Sequence, residues 1–308
     1  MSIVVLSNVV VPLGVLTSGL VGSMSRENIR GQNQAGFATV NVVRDVTMRS
    51  FQISTAPMLA DDADKFIAIA ETTDYGAYGM LIEDPMESVV TASNGTLQGY
   101  MLGAEFGTPG FGNGTPRYGL RKLYAPNGAG ISRARALTRP VGNPVLTRGG
   151  SPVSVGGSAG FVSFTAAPVY VDFVADATRN VVGLTVGATT TVTLSTAIAG
   201  FIVGGRLWLQ GFTGADAALL NNQSHQITAI ASNVYTLATN TAGKTITFGS
   251  AQGHKYPQPD EALTAAFRFL VPVHFRDDRL EWELVIAGPR GIRQIAFPST
   301  YLDEIREA

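Results

Sequence analysis

Although the chain is 308 residues long, only 15% of them are charged and the formal net charge is −1. That balance excludes a strong electrostatic pull of the whole molecule onto nucleic acid or an anionic membrane, and the lack of cysteine excludes disulfides, thiolate nucleophiles and cysteine-ligated zinc. The length allows two modest domains, and Gly, Ala, Thr, Val and Ser standing where Lys and Glu usually sit favour short strands, tight turns and neutral faces able to pack against other subunits.

The opening MSIVVLSNVVVPLGVLTSGLVGSMS contains an apolar run, but its first positive side chain, Arg26, follows the run instead of preceding it, and Pro12, Gly14 and Gly19 interrupt it. It reads as an extended arm or strand, with neither the basic start of a signal peptide nor the continuity of a membrane helix. From Phe37 to Ile53 apolar and polar residues alternate, which predicts a half-buried strand. Asp61 and Asp62 then lead ADKFIAIAETT, where Phe66, Ile67, Ile69 and Ala70 share one face of a short helix whose N-terminus the carboxylates favour.

Gly76 and Gly79 punctuate YGAYGMLIEDP as a turn and a short strand. The glycine- and proline-dense stretch between Gly95 and Gly130 predicts loop and hairpin at the surface, and PVLTRGGSPVSVGGSAGFVSFTAAPV predicts three strands joined by glycine turns. From about Val171 to Gly253 charge nearly vanishes. Five strands are expected there, GATTTVTLST, GGRLWLQGF, HQITAIAS, NVYTLAT and KTITFGS, in a small closed barrel or sandwich, because closure removes sheet edges. Beyond it, Phe267, Phe269, Val271 and Val273 mark one face of a strand, Leu280, Trp282, Leu284 and Ile286 another, and STYLDEIREA is read as a helical turn begun by Ser299 or Thr300.

A search for chemistry returns little. His225, His254 and His274 have no second histidine or carboxylate at helical ligand spacing, so no metal site is expected; the first and last are read as strand residues and His254 as part of a linker. No G-x-S-x-G elbow is present, and GTPGFGNG at Gly107–Gly114 lacks the lysine and following helix of a phosphate loop. Scattered carboxylates are the only material for a glycan hydrolase, which needs two facing each other across a sugar: Asp61, Asp62 and Asp64 read as helix-start charges, Asp277 and Asp278 as a turn, and Asp61, Asp84 and Asp277 are the ones to test. Trp208 and Tyr235 are the candidate platform for a carbohydrate, although aromatic residues in strands usually serve the core. Arg121, Lys122, Arg133, Arg135 and Arg139, with Tyr118 and Tyr124 nearby, form the one basic cluster, a candidate contact with an acidic neighbouring subunit or with nucleic acid.

Four stretches, in order, resemble the distal tail proteins of long-tailed phages and gene-transfer agents. They are FQISTAPMLADDADKFIAIAETTDYGAYGMLIEDPMES, YGLRKLYAPNGAGISRARALTRPVGNPVLTRGG, GFVSFTAAPV and FRFLVPVHFRDDRLEWEL. The family passes quickly from the proline strand to the valine-proline-valine strand, whereas here residues 171–255 intervene, a segment similar to a small β-barrel module recurrent in phage tail proteins; the N-terminal arm also lacks the family's aromatic start.

The expected architecture is mainly β: a sandwich- or barrel-like assembly domain with one short helix, formed by residues 1–170 and 256–308, carrying an inserted small barrel at 171–255. The resemblance implies a non-enzymatic structural protein of the virion, placed at the distal end of the tail. It implies a sixfold ring of identical subunits that joins the tail tube protein to hub and tip proteins, with DNA passing only transiently through the lumen. Arg121, Lys122, Arg133, Arg135 and Arg139 are then candidate subunit or lumen contacts. No catalytic, cofactor or metal site and no membrane insertion are expected, and the alternative is a receptor-binding minor tail protein that touches a host-surface glycan through Trp208 and Tyr235.

Overall fold

The structure is a computed structural model that describes residues 3–32, 38–43, 47–53, 56–126 and 132–307. Strands account for 50% of the protein and helices for 8%, so the mainly β class expected from composition holds. The chain divides into two compact units, one of residues 1–88 and 269–308 and the other of residues 89–268. The compositional boundaries at 170/171 and 255/256 do not coincide with these, because strands on both sides of residue 171 belong to one sheet of the second unit.

The first unit is built on a six-stranded sheet in the order Val4–Val10, Tyr78–Ile82, Val271–Phe275, Thr300–Glu304, Met48–Ile53, Leu20–Ser25. Only the first pair is parallel. Alternation decides which face each strand buries: Phe51 and Ile53, Val271 and Val273, and Leu302 all point into the core. The long alternating stretch expected over Phe37–Ile53 is broken, with its strands at Ala38–Val42 and Met48–Ile53; Phe37 and Arg44–Val46 lie outside the described residues. The C-terminal tail is not a helical turn. Thr300–Glu304 is a central strand paired on both sides, since burying Leu302 between two neighbours outweighs a marginal last turn.

The helix Ala60–Thr72 forms where the 3.6-residue period requires it, burying Ala63, Phe66, Ile69 and Ala70, with Asp61 and Asp62 in its first turn. Phe66 is its anchor, 5.7 Å from the ring of Phe275 and edge-on to Phe297 at 5.2 Å. Thr73 ends it by donating its hydroxyl to Ile69 O at 2.9 Å. Asp74, Tyr75 and Gly76 follow at positive φ; a side chain at Gly76 would meet Phe275 O at 2.6 Å. A second, five-residue helix, Leu13–Thr17, lies in the N-terminal arm after the strand Val4–Val10. Two small sheets complete the unit: Glu283–Ile286, Gln294–Ala296 and Met58–Leu59, and the hairpin of Asn28–Gln32 with Ala38–Val42.

The second unit joins a ten-stranded sheet to a closed barrel. The sheet runs Ser151–Pro152, Pro140–Arg148, Leu263–Phe269, Gly95–Met101, Arg117–Tyr124, Tyr170–Phe173, Val162–Phe164, with Ala104–Phe106, Arg133–Leu137 and Val89–Val90 paired off this path. The barrel has six strands in the order Ala177–Thr185, Thr190–Leu194, Val234–Leu237, Gln223–Ala231, Arg206–Gln210, Gln252–Lys255. Four of the five expected strands are present, but KTITFGS contributes only the single bridge Thr213↔Thr247, and the ring closes through Gln252–Lys255 and Ala177–Thr185. Inside it pack Val181, Val192, Leu194, Leu207, Leu209, Ile227 and Leu237, with Tyr235 donating no exposed surface and its hydroxyl accepting Ile198 N–H at 3.0 Å.

The glycine-dense loop expected at the surface is, in its second half, a buried bracket between barrel and sheet. Gly112, Asn113, Gly114 and Thr115 are all buried. Asn113 N donates to Tyr118 OH at 2.8 Å, Ser224 Oγ of the barrel donates to Asn113 O at 2.8 Å, and the Arg206 guanidinium covers the Phe106 ring at 4.7 Å. A Cβ on Gly112 would lie 2.3 Å from the backbone of Pro257. These glycines exist for close backbone approach and not for cradling a phosphate.

Candidate assembly surfaces

Among the described residues, the histidines and carboxylates considered for chemistry stand apart from one another. Among the described residues no group of three His, Asp or Glu side chains is placed to hold a metal ion. His225 stands inside the barrel, where its Nε2 meets Leu220 O at 3.0 Å and its Nδ1 meets the Thr239 hydroxyl at 2.7 Å. The carbonyl fixes Nε2–H as the donor and leaves Nδ1 to accept. His254 is not in a linker but in the barrel strand Gln252–Lys255, with Nδ1 2.8 Å from Thr178 Oγ1, its ring stacked on Tyr256 and its Nε2 buried without a partner. His274 lies on the strand Val271–Phe275 with Nδ1 2.7 Å from Phe275 O.

Burial holds both barrel histidines below the usual imidazole range; at His225 the bond to Leu220 opposes the shift and the Arg206 charge adds to it. The unfolded chain therefore takes up protons that the folded barrel refuses, and stability falls as pH drops below the unfolded value of about 6.5. The melting temperature of the barrel transition is expected to decline from about pH 7 to about pH 5, with a shallower decline in His254→Gln. A flat profile over that interval would contradict the buried neutral imidazoles. Asp303, on the strand Thr300–Glu304 of the first unit and held low by the hydrogen bond from Arg276, adds a loss of that unit's stability only at more acidic pH.

Each carboxylate considered for glycan hydrolysis has a different neighbourhood. Asp61 accepts from Arg290 Nε at 2.6 Å, and Arg290 also bonds Asp64. Asp84 is buried and accepts Met86 N–H at 2.9 Å, and Asp277 is exposed on a turn. The candidate sugar platform is dismantled by burial: Trp208 is 6% exposed and Tyr235 1%. Tyr235 is a barrel core residue, edge-on to Phe201, and Trp208 lies outside that core with its ring edge-on to Tyr256. Neither presents a face to a ligand.

The basic cluster is partly drawn inward. Arg121, Lys122 and Arg139 are buried; Arg121 is ion-paired with Glu105, and Lys122 donates to Val89 O at 3.1 Å while lying over the Tyr124 ring. The antiparallel register sets Lys122 opposite Arg135 and Tyr124 opposite Arg133, so these four share one face of the hairpin, while Arg121, one residue out of step, faces the other way. Only Arg133 among the five is exposed.

What the first unit leaves uncovered is apolar backbone edge. Val4–Val10 and Leu20–Ser25 are the two ends of the six-stranded sheet, and neither VVLSNVV nor LVGSMS contains a charge or a proline. Val4, Val10, Val21 and Met24 are exposed on them. The stretch read as a strand with Leu280, Trp282, Leu284 and Ile286 pointing one way is only four residues of strand, Glu283–Ile286, every one of them exposed, and Trp282 ahead of it is 65% exposed. The hairpin Asn28–Gln32/Ala38–Val42 is exposed throughout. The periodicity of these segments is visible in the sequence; that none of the described residues covers them is not, because a pattern fixes a face and not its partner. No known family model matches the chain, and no curated protein sequence matches it.

Proposed function

We propose that this chain is a structural subunit of a phage-type tail, closing with copies of itself into a ring at the distal end that joins the tube to hub and tip proteins and leaves a lumen for DNA. The observation that carries the reading is that Val4–Val10 and Leu20–Ser25 end the six-stranded sheet, the first with a register shift between Val5 and Val10 and the second without one. A sheet edge is a row of unmet backbone donors and acceptors, and proteins that stay monomeric blunt it with lysine, proline or a bulge. Here the edge Leu20–Ser25 is regular along its six paired residues and uncharged. Pairing of one edge with the opposite edge of a neighbour extends the sheet head to tail, and a constant rotation closes the series into a ring. The tail setting and the sixfold count come from the four resembling stretches alone.

Purified full-length protein is expected to run as a closed oligomer by light scattering and to give rings in negative stain. In the variant Val21→Lys/Met24→Lys, which charges an exposed edge, the oligomer is expected to fall to monomer while the folded stability stays within about 0.5 kcal/mol. A wild-type monomer at high concentration would overturn the reading.

A further inference from the structure

A head-to-tail ring needs two unlike surfaces on each subunit, and the first unit carries a second unlike pair apart from its main sheet edges. One is the hairpin Asn28–Gln32/Ala38–Val42, which among the described strands pairs with no other and exposes Ile29, Val40 and Val42. A lone two-stranded hairpin is at best marginal in water, more so with large apolar side chains turned outward. The other is the edge strand Glu283–Ile286, unpaired on one side, with Trp282, Leu284, Val285 and Ile286 exposed. Tryptophan is the residue type most enriched among those that dominate interface energies.

The two surfaces are also complementary in charge. The hairpin and its approach carry Arg26 and Arg30 against Glu27, whereas the segment leading into the edge strand carries Asp277, Asp278, Glu281 and Glu283 against Arg279, which is itself bonded to Glu281. A copy of the same chain therefore brings to each surface what that surface lacks: a partner strand, apolar cover and opposite charge.

We propose that the paired strands Asn28–Gln32 and Ala38–Val42 of one subunit lie along the edge strand Glu283–Ile286 of the next, covering Trp282, and that this contact is a heterologous joint of the ring. The inference rests on the self-assembly reading above. The chain has no cysteine, so introduced thiols report single contacts. Val40→Cys and Leu284→Cys alter exposed side chains, and a short bis-maleimide linker tolerates a register offset of a residue or two. The expected result is a cross-linked dimer only when the two single variants are mixed, and, in the double variant, a ladder that climbs to the full ring. Trp282→Glu is expected to weaken assembly by at least about tenfold with an unchanged melting curve. In the wild type, tryptophan emission should shift to the blue on assembly because Trp282 is exposed and Trp208 already buried.

Rings that form without the mixed cross-link and tolerate Trp282→Glu would overturn this joint and leave the self-assembly reading intact. Cross-linking of Val40→Cys to itself would replace the joint by a hairpin-to-hairpin contact and overturn it too. A wild-type chain that never assembles would remove both proposals together.

Discussion

Alanine at Gly95 is expected to abolish the native second unit outright. Gly95 opens the strand Gly95–Met101 in the centre of the ten-stranded sheet, and a Cβ there would sit 1.9 Å from Ala265 O and 2.5 Å from Val90 Cγ1. The first obstacle is the backbone carbonyl of a neighbouring strand, which no side-chain rotation can move. Relief requires parting Gly95–Met101 from Leu263–Phe269, and with it the hydrogen bond from Thr96 Oγ1 to Leu263 O at 3.1 Å and the packing of Leu97, Leu263 and Ala265, all of them fully buried.

A loss beyond about 4 kcal/mol is expected, against a total stability of about 5–15 kcal/mol for an ordinary domain. Trp208 lies in the same unit, so Gly95→Ala should show red-shifted tryptophan emission in native buffer and no cooperative denaturant transition for that unit. Gly119→Ala is the control: a Cβ there meets nothing within 4 Å, and its effect should stay within about 0.5 kcal/mol. Wild-type behaviour of Gly95→Ala would mean that these two strands are not neighbours as described.

Legibility in the sequence followed the strength of the local signal. The helix Ala60–Thr72 could be read because Asp61 and Asp62 precede apolar residues at helical spacing, and those same residues meet Phe275 and Phe297 in the fold. The barrel strand Gln252–Lys255 could not. Its sequence, QGHK, has no β-branched residue and no Phe, Tyr or Trp, and its place depends on Gly253 fitting against Leu194 and Leu207, a requirement set by residues far away in the chain. KTITFGS carried the opposite error. It alternates like a strand, yet only Ile246 and Phe248 reach the barrel core, and the glycines at 243 and 249 turn the chain away at both ends.

The candidate site followed the same rule. Trp208 and Tyr235 were visible as aromatic residues, but their burial depends on Tyr256, Phe201 and Ile198, which no local pattern announces. Trp282 was legible as one of an apolar face and illegible as a surface residue. Apolar alternation says that a strand wants cover. For Glu283–Ile286 and the paired strands Asn28–Gln32 and Ala38–Val42 that cover is absent from the described residues of the chain itself, and the assembly proposed above would supply it.

Arg148→Met is expected to cost about 3–5 kcal/mol, the second-largest effect of a single change. Arg148 ends the strand Pro140–Arg148 and reaches two carboxylates at once, Asp176 at 2.6 Å and Glu261 at 2.8 Å. Burial works against its positive charge, yet the hydrogen bonds to Asp176 and Glu261 outweigh it and hold the guanidinium more firmly protonated than usual. Asp176 immediately precedes the first barrel strand and Glu261 lies just ahead of the sheet strand Leu263–Phe269, so one cation ties the entry to the barrel to the return from it. The Glu261 oxygen that meets Arg148, Oε2, also accepts Gln258 N–H at 2.6 Å, while Gln258 Oε1 accepts Arg206 N–H of the barrel at 2.7 Å.

Methionine fills much of the same volume but leaves two partly buried carboxylates facing each other without a counter-charge. Their repulsion then acts on both connections at once. Asp176→Asn and Glu261→Gln each leave Arg148 one anionic partner, so each should cost less than Arg148→Met, and the triple change Arg148→Met/Asp176→Asn/Glu261→Gln should recover part of the loss. Denaturant titrations followed by Trp208 emission measure all four. Equal stability of Arg148→Met and wild type would show that the barrel's connections are held by packing alone.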